Sequence, residues 1–184
     1  DFGSNDLIDL KIEDNGVDVT EDLEEHTISG GTLERYPAHY TTSGSISGTN
    51  YQGAIGKGSD TANASGNDYC SSSGSTAYIN YSFDFSDIPE TATIDSVSVS
   101  VKGHCESTSN SSEVARLQLY SGSTEKGSQA NFTWTSDTVI NMTTGTWTRD
   151  KLQDAILRFT IGYYGGRMVG ATWTVVYSVA SNVY

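Results

Sequence analysis

The sequence predicts an all-β, antiparallel sandwich, on three observations. Apolar residues recur at every second position in several short runs, the pattern of a strand with one buried face. Ser, Thr, Gly and Asn fill the gaps between the runs and supply turn chemistry. Only two prolines, Pro37 and Pro89, interrupt 184 residues, so nearly every backbone N–H can serve a sheet ladder. Charged residues are 18% of the chain, too few for a helical protein rich in Glu and Lys. The length fits one domain and an appendage.

Charge divides the chain in two. Residues 1–36 carry eleven acidic side chains against Lys11 and Arg35, a net of −9 that leaves −4 of the total −13 for the rest. An acidic balance of this size argues against a phosphate backbone as partner, which rewards clustered Lys and Arg. Membrane insertion is not expected, because no run approaches the roughly 18 apolar residues of a span. A basic stretch leading into an apolar one, the mark of a signal peptide, is not seen either.

The first element is a hairpin. Ile8, Leu10 and Ile12 alternate with Asp9, Lys11 and Glu13, Asn15-Gly16 follows, and Val17 and Val19 flank Asp18. Asn-Gly tolerates the positive φ of a tight type I′ turn. A lone ribbon is marginal in water, so these apolar residues are expected to attach it to the body or to another subunit. Thr20 opens an acidic stretch, Glu21 to Glu25, suited to a short capped helical turn. Residues 27–75 are rich in Gly, Ser, Thr and Asn. Tyr36, Tyr40, Ile46, Tyr51 and Ile55 recur among them, which predicts edge strands and long loops in preference to a linker.

From residue 76 the strands are plain. Ile79, Tyr81, Phe83 and Phe85 share one face up to Pro89; Val97, Val99 and Val101 alternate with serines up to Gly103. Ala115, Leu117 and Leu119 oppose Arg116, Gln118 and Tyr120, before the turn Ser121-Gly122-Ser123. Phe132 and Trp134 open a weaker strand, and Val139 and Ile140 form the next apolar patch. Thr148 can cap a brief helix over 149–155. Leu157, Phe159 and Ile161 precede a Gly165-Gly166 turn, and the last strand sets Ala171, Trp173, Val175, Tyr177 and Val179 on one face. Seven or eight short strands with turns between them are what a two-sheet sandwich requires.

No catalytic motif survives inspection. The segment 53–59 has a phosphate-loop outline, yet Tyr51 stands where the first glycine is needed and Gly58 where a hydroxyl should meet Mg²⁺. Ile46 occupies the nucleophile position of Gly44-Ser45-Ile46-Ser47-Gly48. His26, His39 and His104 have no metal-ligand spacing, and no cofactor is expected. Calcium held by Asp60 and Asp68 stays open, as does a spatial pair of carboxylates in the body. Cys70 and Cys105 fit neither a redox nor a zinc pattern; a disulfide between them and a pair of thiols both stay open. Aromatic residues near turns are more informative. Trp134, Trp147, Tyr163, Tyr164 and Arg167 are candidates for a sugar-stacking platform, with ordinary packing or subunit contact as the alternative.

The runs Phe83-Asp84-Phe85-Ser86-Asp87-Ile88-Pro89, 94–101, 115–123 and Ile161-Gly162-Tyr163-Tyr164-Gly165-Gly166 resemble jelly-roll, carbohydrate-binding-module-like domains in structural proteins of tailed bacteriophages and prophages. The resemblance covers roughly residues 36–179. The 12–23 segment is similar to the opening of phage tail and baseplate proteins. The resemblance implies a jelly-roll-like sandwich over 37–184 and an attachment arm over 1–36. It implies a non-enzymatic virion component, exposed on tail, baseplate or head. Homo-oligomeric contacts, other virion proteins and bacterial surface glycan are the partners it implies. The alternative is a carbohydrate-binding module of a secreted bacterial surface protein.

Overall fold

The computed structural model of the chain describes residues 13–14, 17–18, 25–48, 69–72, 77–105, 115–161 and 165–183. Two compact units divide it: Asp1–Ser29 with Ala180–Tyr184, and Gly30–Val179. The boundary read from charge, at residue 36, follows the acidic side chains, whereas the units part before Gly30.

In the first unit β1 (Glu13–Asp14) pairs antiparallel with β2 (Val17–Asp18), Glu13 opposite Asp18 and Asp14 opposite Val17. Asn15-Gly16 stands between the two strands, as a two-residue hairpin connection requires. Ile8, Leu10, Ile12 and Val19 lie outside the described residues, as does most of the acidic stretch after Thr20.

The remaining strands are β3 (Glu25–Arg35), β4 (His39–Ser43), β5 (Ile46–Gly48), β6 (Tyr69–Ser72), β7 (Tyr78–Ser82), β8 (Thr93–Cys105), β9 (Arg116–Ser121), β10 (Thr124–Asn131), β11 (Thr138–Met142), β12 (Ala155–Thr160) and β13 (Gly166–Val183), with one helix, α1 (Arg149–Gln153). One sheet has the order β10-β9-β12-β7-β4. The other has β11-β8-β13-β6-β5, and β3 also pairs with β13. With β6 to β13 counted as strands one to eight, the first sits beside the eighth, the eighth beside the third and the third beside the sixth. In the facing sheet the second neighbours the seventh, the seventh the fourth and the fourth the fifth. Two Greek keys interleaved in this way make a jelly roll. β4 and β5 each add an outer strand, so the polar 27–75 segment does supply sheet edges, and its Tyr40 and Ile46 pack on the core.

Register follows the alternation. Ile79 and Tyr81 point inward, and so do Phe83 and Phe85 beyond the strand's end at Ser82. Their rings lie 5.1 and 5.6 Å from that of Trp173, which is fully buried at the centre of the core. Leu117, Leu119, Leu157 and Phe159 complete the inner face of the five-stranded sheet, with Leu119 opposite Leu157 and Leu117 opposite Phe159.

Several expectations are corrected. β8 does not stop at Gly103 but continues to Cys105. A Cβ at Gly103 would lie 2.2 Å from the Arg167 carbonyl oxygen and 2.8 Å from the Phe132 ring, so this glycine answers to close approach within the sheet. Phe132 and Trp134 form no strand. Phe132 N–H donates to Ala115 O at 2.9 Å and Trp134 O accepts from Cys105 N–H at 3.0 Å, which anchors both in a loop. β10, mostly polar and lying at a sheet edge, has no alternation to announce it. The helix is capped by Thr148, whose hydroxyl accepts from Lys151 N–H at 3.4 Å, and ends at Gln153 because Ala155 already belongs to β12. Gly166 begins β13 and only Gly165, at φ 98°, keeps a left-handed turn conformation.

Candidate functional site

The five residues nominated for ligand contact separate in the structure. Trp147 is buried: its ring meets Trp173 edge-on at 5.0 Å and its Nε1–H donates to Thr144 O at 2.7 Å. It is a core residue and offers no open face to a sugar. Trp134 remains 63% exposed. Tyr163 and Tyr164 lie outside the described residues, as do Asp60 and Asp68.

Trp134 and Arg167 are brought to the same end of the sandwich by backbone pairing. Trp134 O receives the Cys105 N–H and, at 3.3 Å, the Cys105 thiol. One residue earlier, His104 stands opposite Arg167 across β8 and β13. His104 Nδ1–H donates to Asp137 Oδ1 at 2.6 Å, since a carboxylate only accepts. The end therefore brings together an exposed indole, an imidazole fixed by an aspartate and, opposite that histidine in the sheet, Arg167, the mixture of flat apolar surface and polar groups that saccharides require.

The same register separates the cysteines. Gly166 pairs with Cys70 on one side and Cys105 on the other. Strands run about 4.8 Å apart, so the two Cα positions are roughly 10 Å apart, beyond the ~7 Å a disulfide spans. The Cys105 thiol is buried and bonded to Trp134 O, and the disulfide held open in the sequence is not made here.

A second polar surface covers the outward face of the five-stranded sheet. Arg158, central in β12, lies between two rings, its guanidinium carbon 4.0 Å from the Tyr78 centroid and 4.3 Å from that of Tyr120. Its Nε donates to Asn80 Oδ1 at 3.0 Å and Nη1 to the Tyr120 hydroxyl at 3.3 Å, and that hydroxyl donates to Glu125 Oε1 at 3.1 Å. Burial raises the Tyr120 hydroxyl above the ordinary phenol range, opposed by the Arg158 charge and helped by Glu125. Sequence reasoning placed Arg116 and Tyr120 opposite the inward leucines but passed over Arg158 and Tyr78. Their alternation with Leu157, Phe159 and Ile79 was the available signal; only the register shows that the three strands bring them together.

Compared with known families and curated proteins, the chain matches none.

A small cleft, about 560 Å³, opens between residues 34–38 and Asp84 and Asp87. Arg35 closes much of its chemistry: Nε donates to Asp84 O at 2.8 Å, Nη1 to Glu34 O at 2.9 Å, and Nη2 pairs with Asp87. The Tyr36 hydroxyl donates to Glu34 Oε2 at 3.1 Å; desolvation, then the bond to Glu34 and its charge, raise its pKa. A phenol held protonated beside a carboxylate is a structural tie. Among the described residues no three His, Cys, Asp or Glu gather where they could hold a metal, and no helix is long and apolar enough to cross a membrane.

Proposed function

We propose that this chain is a non-catalytic module of a tailed-bacteriophage virion, exposed on the tail, baseplate or head, that assembles through copies of itself and other virion proteins and contacts bacterial surface glycan. The observation that carries the contact is Trp134, 63% exposed while the other two tryptophans are buried, beside the His104–Asp137 pair and Arg167. The jelly roll is a stable platform for such an end, because its loops vary without disturbing the two sheets. The acidic segment with the β1–β2 ribbon is the attachment side of this reading. Repeated copies would raise a weak sugar affinity by avidity.

The test is a bacterial-glycan array probed with the full chain and with Trp134→Ala. Binding by the parent, reduced about tenfold or more in the variant at an unchanged melting temperature, supports the reading. A parent that binds no glycan defeats the contact. Binding by a chain that stays monomeric and joins no particle would favour the alternative, a carbohydrate-binding module of a secreted bacterial protein.

A further inference from the structure

We infer that the outward face of the five-stranded sheet is a second ligand site, specific for a saccharide bearing a carboxylate. This goes beyond the end patch around Trp134. The face presents a guanidinium fixed in place with no carboxylate paired to it among the described residues. Arg158 is clamped between Tyr78 and Tyr120, and both of its hydrogen-bond acceptors, Asn80 Oδ1 and the Tyr120 hydroxyl, are neutral. Arg116 stands on the same face of the neighbouring strand, opposite Thr160 and two residues out of register with Arg158, a diagonal of about 7–8 Å. Among the described residues no carboxylate pairs with either arginine. Elsewhere Arg35 and His104 each hold an aspartate, and Arg149 lies 3.9 Å from one. The Tyr120 hydroxyl stands between Arg158 and Glu125, and in a chain of 23 acidic and 10 basic residues two neighbouring arginines with no direct carboxylate partner among the described residues are a marked local departure.

The chemistry narrows the ligand. A guanidinium presents planar paired donors that match a carboxylate, and one already fixed by flanking rings loses little freedom on binding. Around it the outward positions include hydroxyls and amides, Asn80 opposite Arg158, Thr41 opposite Asn80, and Thr160 between Tyr78 and Arg116, with Ile156 beside Tyr120 as apolar surface. Such a polar sheet face suits sugar hydroxyls. A net charge of −13 opposes dense polyanions such as nucleic acid. A uronate-containing polysaccharide meets both conditions.

The experiment measures affinity of the full chain for a glucuronoxylan, whose uronates are spaced along a neutral backbone, and for the same polymer after carboxyl reduction, in low and high salt, alongside the residue 1–36 peptide as competitor. Binding to the acidic polymer, lost on carboxyl reduction and weakened by salt, is expected. Arg158→Gln should lower affinity tenfold or more, Arg158→Lys should recover little of it, and Arg116→Gln should lower it severalfold. The Arg116 side chain makes no hydrogen bond among the described residues, so its variant reports even where Arg158→Gln fails to fold. Trp134→Ala should leave this binding intact, which separates the sheet face from the end patch. Equal binding to the reduced polymer, no binding by the parent, or an Arg116→Gln protein indistinguishable from it would overturn the site. Displacement of the polysaccharide by the acidic peptide at lower concentration would overturn it in favour of a contact between copies.

Discussion

Trp134 and Trp147 sit in similar polar, Thr-rich stretches of sequence, yet one ends in solvent and the other in the core. The difference lies in what the backbone around each is bonded to. Around Trp134 the carbonyl is held by Cys105 N–H and thiol, which fixes the loop and leaves the indole outside. Around Trp147 the loop folds inward: Thr144 Oγ1 donates to Val97 O at 3.0 Å, Thr144 O accepts the indole N–H, and the ring closes on Trp173. Lys126 crosses above it, 5.4 Å from the ring, and its ammonium donates to Thr146 O at 3.2 Å. An aromatic residue near a turn is thus a ligand candidate only where the turn's own polar groups do not draw it inward.

The contrast predicts opposite responses to the same truncation. Trp147→Ala should cost about 3–5 kcal/mol, the range for removing a buried large aromatic, read as a lower denaturant midpoint at constant slope. Trp134→Ala should stay within about 0.5 kcal/mol of the parent. A Trp147→Ala loss below about 1 kcal/mol would mean that the two loops are equally loose and would dissolve the distinction.

A second substitution tests why the Trp147 loop lies so close. Gly127, at φ 63°, is where β10 meets the segment after β11; a Cβ there would fall 1.7 Å from Thr143 O. Gly127→Ala therefore combines left-handed strain with a backbone clash and should cost about 2–3 kcal/mol. The Trp147 fluorescence should shift red as the loop lifts, while Trp134 keeps its solvent-exposed emission. Stability equal to the parent would show that the loop has room to retreat and that the close approach is not what seats Trp147.

What was legible in the sequence follows from the same physics. Where a strand has one wet face, as in β7, β8, β9, β12 and β13, alternation announced it, although it passed over the buried Cys105, Gln118, Met168 and Val169 and named Val97, Tyr177 and Val179, which are half-buried. The Asn15-Gly16 connection was legible because few dipeptides accept that turn. β10 was not, since a strand at the sheet edge, exposed at nearly every position, has no period to show. Long-range pairing was equally hidden. Cys70 and Cys105 look like partners until Gly166 is seen between them, and Arg158 looks like an ordinary surface charge until β7 and β9 bring Tyr78 and Tyr120 to its two sides.

The smallest effect is expected where the inward run Phe83 and Phe85 meets solvent. Asp84 faces outward between them, and its carboxylate accepts the Ser86 hydroxyl and the Ser86 N–H, the latter at 2.9 Å. Those bonds favour the charged form and hold the Asp84 pKa below the ordinary 3.8, with Arg35 and His39 adding to the effect and desolvation opposing it. A carboxyl whose folded pKa is depressed adds stability that is fully present above the unfolded value and is lost as pH falls through the folded one. Ser86→Ala removes the hydroxyl and keeps the N–H, so the Asp84 titration followed by carboxyl NMR should move part of the way back up, and the acid limb of the stability profile should flatten slightly. An unmoved titration would assign the depression to the Ser86 N–H with Arg35 and His39. The turn that delivers Phe83 and Phe85 to Trp173 would then be held by its backbone, as the Trp134 loop is, and not by side chains reaching inward, as around Trp147.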